Sequence, residues 1–185
     1  VYRQSSKATQ KLVERDPANR LLARGPRFRL TSEQLRDQAL AVSGSLSPKM
    51  FGPPVMPYQP PGMWQTPYEG RDWVTATNED AQRRALYTFI RRSATYPSFV
   101  TFDAPSREFC TVRRIRSNTP LQSLDALNNP VFFAAARSLA QRMVAEGGPD
   151  LDAQLKRGLL LATQRPPRPE EIAVLEELYQ RVDGN

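Results

Sequence analysis

Apolar positions recur at helical spacing near residue 40 and again through the last third of the chain, and that regularity is lost in between. Leu35, Ala39, Val42 and Leu46 follow Thr31 and Gln34, which have the spacing of a capping box, so the pattern predicts a helix reaching Ser47-Pro48. Thr119-Pro120-Leu121-Gln122 combines an N-cap, a first-position proline and a capping-box Gln, predicting a helix to about Asn128. Asn129-Pro130 repeats the start signal before Val131, Ala134, Ala135, Leu139 and Met143, with Gly147-Gly148 as the stop. Asp150 is placed to cap a third helix carrying Leu155, Leu159, Leu160 and Ala162. After Arg165-Pro166-Pro167 a fourth starts at Pro169, with Glu170 and Glu171 near the positive end of its dipole and Ile172, Leu175, Leu178 and Tyr179 as its stripe. Connections this short imply roughly antiparallel neighbours, as in a bundle.

The remaining segments are less regular. Residues 1–30 are basic, and Asp16 as N-cap with Pro17 as first helical residue predicts a short helix through Leu21 and Leu22 to Gly25, ended by Pro26. Residues 48–78 are rich in Pro and Gly and carry Phe51, Tyr58, Trp64, Tyr68 and Trp73. Two roles fit these aromatics: packing an extended segment onto the helices, or a sugar- or peptide-binding face built around Trp64 and Trp73. Arg83 to Arg92 has a β-rich centre and Phe99-Val100-Thr101-Phe102 is a second β candidate. A small β-hairpin fits them, and so does a short helix, because so few residues do not separate the two periods. The expected fold is mainly α: a helical, bundle-like single domain over 1–185. It has N-terminal helices in 1–47, the loop 48–78, the hairpin and cysteine segment in 79–116, and C-terminal helices in 117–185.

Composition narrows the chemistry. The 185 residues suffice for a sizeable core, and a hydrophobic fraction of 39% lies at the polar edge of the globular range. There is no histidine and one cysteine. That excludes, for this chain acting alone, a Ser-His-Asp triad, a Cys-His dyad, an imidazole metal ligand, an axial haem histidine, an internal disulfide and a c-type haem attachment site. The net charge of +7 is carried mostly by arginine, since only Lys7, Lys11, Lys49 and Lys156 are lysines. Guanidinium groups suit carboxylates, phosphates, sulfates and aromatic faces, although an arginine-heavy genome explains the same bias. The uncharged run Met50 to Tyr68 approaches the length of a membrane span but contains six prolines, so it cannot satisfy its own backbone in lipid. The opening Val1-Tyr2-Arg3 has neither an initiator Met nor a signal pattern, which points to a fragment of a longer protein.

The densest cluster of chemistry-bearing side chains is Phe102 to Arg114. Asp103, Arg107 and Cys110 are the candidate catalytic residues, because positive neighbours would favour the nucleophilic thiolate. In the competing reading Cys110 is buried beside Val112, Asp103 makes a turn before Pro105, and Arg107 pairs with a carboxylate. If the hairpin forms, Arg83, Arg84, Arg91, Arg92, Arg113, Arg114 and Arg116 gather on one face and make a site for an anionic polymer. Nucleic acid is disfavoured as that polymer, since no zinc-finger spacing, phosphate loop or RNA-binding aromatic signature is present. No metal site is expected.

Several motifs in order carry a family resemblance: Tyr2-Arg3-Gln4-Ser5-Ser6, Asp16-Pro17-Ala18-Asn19-Arg20-Leu21-Leu22, Leu35 to Gly44, Arg84 to Phe89, Phe102-Asp103-Ala104-Pro105, Cys110 to Arg114, and Thr119 to Leu124. Together they resemble the C-terminal domain of unknown function, family 1553, of large exported proteins abundant in planctomycetes. The resemblance implies an exported, periplasmic or cell-surface parent, often with a cytochrome-c-like domain, so that haem c would belong to the parent and no cofactor to this fragment. It carries no established activity. Two readings follow. One is a non-catalytic module that docks on the upstream domains of its parent or binds acidic or sulfated polysaccharide. The other is part of a redox or hydrolytic site, with Asp103, Arg107 and Cys110 completed by the haem or partner domain.

Overall fold

Seven helices occur among the residues that the computed structural model describes, 4–63, 72–92 and 94–183: α1 Gln10–Arg15, α2 Ser32–Ser43, α3 Pro97–Thr101, α4 Pro120–Asn128, α5 Pro130–Gly147, α6 Leu151–Thr163 and α7 Pro169–Asp183. No strand occurs among those residues, and the fold is mainly α. The chain divides into two units, Val1–Leu30 and Thr31–Asn185.

In the first unit the helix precedes Asp16 instead of following it. Thr9 caps α1, its hydroxyl accepting from the Leu12 N–H at 3.3 Å. The Asp16 carboxylate accepts from the N–H groups of Arg20 (2.9 Å) and Leu21 (2.8 Å), four and five residues on. Helix N-caps bond two or three residues on, so this longer reach closes a turn. Asn19 and Leu22 then take φ of 52° and 53°, outside the right-handed helical region. The bonds from Leu21 and Arg20 hold the Asp16 carboxyl below the usual carboxylate range. Arg24 donates to the carbonyls of Asp16 (3.0 Å) and Pro17 (2.8 Å), tying the turn to the chain just beyond α1.

In the second unit most expected helices form where their caps predict. Thr31 and Gln34 complete the capping box of α2, and Thr119 and Gln122 that of α4. Each such cap is worth about 1 kcal/mol. Helix α2 stops at Ser43, short of the expected Ser47, because Gly44 adopts φ 78° and the N–H groups of Ser45 and Leu46 turn back to the Leu40 carbonyl. Asn129 ends α4 with its N–H on Asp125 and starts α5 with its side chain on Val131. Helix α5 packs against α2, α4 and α6; α7 packs against α6; and α3 touches α2 and α4. Ala135, Leu155 and Ile172 are the buried apolar residues of α5, α6 and α7. Arg142 of α5 donates to the Val42 carbonyl (2.9 Å) at the end of α2. It also bonds Glu146, which takes a second bond from Arg157 of α6 (2.5 Å); these two bonds lower the Glu146 pKa.

The irregular middle of the chain is organised by a shortage of donors. Pro48, Pro53, Pro54, Pro57, Pro60 and Pro61 bring carbonyls but no N–H groups, so backbone pairing cannot satisfy this stretch. Only isolated pairings form, Ser47 with Arg83 and Val55 with Thr88, both parallel. The Ala76 N–H adds one bond to the Met56 carbonyl (2.9 Å), and side chains bring further donors. Arg83, 1% exposed, donates to the carbonyls of Pro53 (3.1 Å) and Phe51 and lies 3.8 Å from the Tyr87 ring centroid. Trp73 Nε1 donates to the Pro57 carbonyl (2.8 Å) and the Tyr96 hydroxyl to the Tyr58 carbonyl (2.7 Å). Buried Arg36 of α2 holds the other flank, donating to the carbonyls of Ala81 (2.6 Å) and Arg83 (2.8 Å). Burial lowers the Arg36 pKa, against the attraction of Tyr96 and Asp37, and burial raises that of Tyr96.

Among the described residues the expected β-hairpin does not form. Residues 83–89 pair with 47–55, Ala85–Tyr87 is a 3-10 turn, and Phe99-Val100-Thr101 lies inside α3, which Pro97 starts. Arg91 and Ala94 make one isolated antiparallel bridge. Tyr96 and Phe99 meet edge to face (5.2 Å between centroids), and Trp73 stacks on Tyr96 at 5.8 Å. With Ala85 and Ala104 they form a core cluster beside the loop.

A Cβ built on Gly147 would lie 2.6 Å from the Cα of Gln154, so α5 and α6 approach too closely there for any side chain. Gly147→Ala is expected to destabilise the fold by about 1–3 kcal/mol, measured as a lower denaturant midpoint at unchanged slope; a shift below about 0.5 kcal/mol, the range of ordinary surface changes, would contradict this close approach.

Candidate functional site

The segment singled out in the sequence folds as a pinned loop, and the pin is Asp103. Asp103 follows α3 with φ 62°, and its carboxylate turns inward. It accepts from the Ser117 N–H (2.6 Å), from the Ser117 hydroxyl (2.9 Å) and from Gln122 Nε2 (3.2 Å). Gln122 is buried and also donates to the Thr101 carbonyl (3.0 Å). Residues 104–116 thus leave and return at one polar knot built on the first turn of α4. The Gln122 capping signal was legible in the sequence. Its second role, joining Asp103, was not, because that contact spans 19 residues and no local pattern encodes it.

Outside the knot the loop is open to solvent. Residues 107–113 are exposed, Cys110 among them as a free thiol, which corrects the expectation of a cysteine buried beside Val112. Arg107 takes φ 65° and enters no ion pair among the described residues, in place of the expected carboxylate partner. A surface depression of about 530 Å³ is lined by Arg92, Pro105, Arg107, Glu108, Phe109, Cys110, Thr111 and Arg114. A second, of about 660 Å³, is lined by Arg113, Arg114, Ile115 and Arg116, so Arg114 belongs to both. Arg114 is held by Glu33 of α2 at 2.8 Å. Burial works to raise the Glu33 pKa, but the bonds from Arg114, its own backbone and Ser32 bring it down to about 2.

The other arginines of the expected basic face separate. Arg83 is withdrawn from any external polymer by the carbonyls and ring it serves. Arg84 lies 3.8 Å from Asp37 of α2. Arg91 is at the isolated bridge to Ala94, while Arg92 reaches the depression. Trp73 is spent on packing, as one of the two readings of the aromatic loop requires, and Trp64 lies outside the described residues. The arrangement therefore gathers Arg92, Arg107 and Arg114 with Cys110 and Glu108, places Arg113 in the second depression that shares Arg114, and leaves Asp103 out of both. Chemically it offers bidentate donors for sulfate, carboxylate or phosphate groups, with a thiol at the rim. Among the described residues no group of three His, Cys, Asp or Glu could hold a metal ion, and no helix is long and apolar enough to cross a membrane.

The sequence profile of the PSD1 family, described as a protein of unknown function (DUF1553), matches residues 1–179. The chain belongs to this family. No curated protein and no solved structure matches it. The match takes in the proline-rich segment, the pinned loop, helices α1 to α6 and α7 as far as residue 179.

Asp103→Asn is compatible with the left-handed backbone but replaces one acceptor oxygen by a donor. We expect a loss of about 1–3 kcal/mol, as for an unsatisfied buried group, with faster hydrogen exchange confined to residues 104–117; unchanged exchange there would refute the pin. The folded pKa of Glu33 lies below its usual 4.5, so its ion pair stabilises above about pH 4.5 and is lost as pH falls towards 2. Denaturation series at pH 7, 4 and 2.5 are expected to show a smaller acid-induced loss for Glu33→Gln than for the wild type, and equal losses would contradict it.

Proposed function

We propose that the chain is a non-catalytic binding module whose loop 104–116, with Arg92, holds an anionic polymer of the acidic or sulfated polysaccharide class. One observation carries this reading: Arg92, Arg107 and Arg114 line a single open depression, and Arg113 and Arg116 line the one beside it. Against this density of guanidinium groups stand Glu108 and the Glu33 that holds Arg114. Sulfate and carboxylate groups on a sugar chain match the planar donors of arginine and need no deep pocket. In the exported, cytochrome-c-linked parent that the sequence resemblance implies, such a module would keep a polymer near the upstream domains, to which the same chain would be docked; haem c would sit in those domains.

A second reading, a redox or hydrolytic site completed by another domain, draws on the exposed thiol of Cys110 beside the arginines. It has to do without Asp103, whose oxygens are occupied by Ser117 and Gln122. The binding reading is therefore the better supported.

Arg107 and Arg113 are exposed and make no ion pair among the described residues, so they can be replaced without undoing the fold. Retention of the protein on a heparin support is expected at low salt, falling as salt screens the exposed charges. Arg107→Gln combined with Arg113→Gln is expected to weaken binding by about three- to tenfold, the scale of two exposed ion pairs. Retention that ignores salt, or that this double variant leaves unchanged, would overturn the proposal.

A further inference from the structure

Six of the seven net positive charges fall in the first unit, which holds eight Lys and Arg against Glu14 and Asp16. The rest of the chain is close to neutral. A solubilising basic tail needs no architecture, yet this segment has one. Asp16 clamps the N–H groups of Arg20 and Leu21, Asn19 bonds the Arg24 carbonyl at 2.7 Å, and Arg24 ties down the end of α1.

The clamped turn presents aliphatic side chains to solvent. Leu21 is 77% exposed and its neighbour Leu22 is 48% exposed. Leu22 does so at φ 53°, a conformation that Gly or Asn would adopt with less strain. Leucine is thus a poor choice for the turn itself, and most of the Leu21 surface contributes nothing to a core. In the same unit, within eight residues of this pair along the chain, Arg15, Arg20, Arg27 and Arg29 are all exposed. Such a surface combines two kinds of complementarity. The guanidinium groups match phosphates, and the projecting aliphatic side chains match an apolar layer directly beneath those phosphates. A polysaccharide or a nucleic acid would use the arginines but leave the two leucines in water. An anionic bilayer uses both, since apolar insertion and attraction to anionic headgroups add in interfacial binding.

We propose that the first unit is a peripheral anchor for anionic lipid bilayers, in which Leu21 and Leu22 enter the boundary between headgroups and acyl chains and Arg15, Arg20, Arg27 and Arg29 face the lipid phosphates. This surface belongs to the first unit and the loop 104–116 to the second, and the proposal does not depend on the function proposed for that loop.

The test is co-sedimentation of the full chain with vesicles of phosphatidylcholine containing about 30% phosphatidylglycerol, and with vesicles of phosphatidylcholine alone, at low and physiological salt. Binding to the anionic vesicles is expected to exceed that to the neutral ones by about tenfold or more. Leu21→Ser with Leu22→Asn is expected to weaken it by about tenfold or more, because two buried aliphatic side chains are removed. Asn suits the left-handed φ of position 22, and an unchanged thermal midpoint separates lost binding from lost folding. Arg27→Gln with Arg29→Gln is expected to weaken binding as well and to reduce its salt dependence. If the leucine variant binds anionic vesicles as tightly as the wild type, charge alone is responsible and the anchor is refuted. It is equally refuted if the wild type fails to sediment with anionic vesicles at low salt. Arg107→Gln with Arg113→Gln, which tests the loop, is expected to leave vesicle binding unchanged, so the two proposals fail separately.

Discussion

A segment rich in proline carries more acceptors than donors, and the second unit is arranged to make up that difference. Six prolines between residues 48 and 61 supply carbonyls without N–H groups, and a buried carbonyl without a partner costs about 1–3 kcal/mol. Arg83, Trp73 and Tyr96 bring the missing donors, and Arg36 does the same for the flank at 81–83. These residues are committed before any ligand is considered. Their commitment also accounts for part of the arginine bias: Arg24, Arg36, Arg83 and Arg142 all donate to main-chain carbonyls, where the several N–H groups of one guanidinium satisfy two acceptors together.

The same logic separates structure from surface in the cysteine segment. Asp103, Ser117 and Gln122 form a closed set of hydrogen bonds, and a carboxylate so occupied has little capacity for proton transfer. Fixing both ends of the loop leaves its centre free to face water, which is why Cys110 and Arg107 are exposed although their neighbour Asp103 is not. The pin thereby converts a run that reads as one cluster into an internal part and an external part. The external part is basic, and Arg114 within it is anchored by Glu33 at the start of α2.

Most of the bundle was legible because helix starts and stops are local. Capping boxes at Thr31 and Thr119, Asn129-Pro130, Asp150 and Pro169 each announce an end within four residues, and α2 and α4 to α7 begin where those signals stand. The misreadings lie where local propensity met a distant partner. Asp16 has the form of an N-cap but bonds too far along the chain, so its helix lies on the other side. Phe99-Val100-Thr101-Phe102 has β-forming residues, yet Pro97 and the contacts of Tyr96 and Phe99 make it helical. Of the candidate site, the residue types and their neighbourhood were legible; which of them share one depression was not, since Arg92 and Arg107 line it together only once the loop is closed at Ser117.

By itself the sequence determined the helical class, the positions of the caps, the excess of guanidinium groups and the absence of any histidine chemistry, because all of these are properties of residues and their near neighbours. Only the tertiary structure decided which arginines are internal donors and which are available outside. A guanidinium is driven inward where unpaired carbonyls converge on it and stays in water where they do not, and that convergence is set by contacts dozens of residues apart. The +7 of the chain was countable from the start. Its division into buried Arg36 and Arg83, an exposed loop face and a first unit holding six of the net charges followed from the fold.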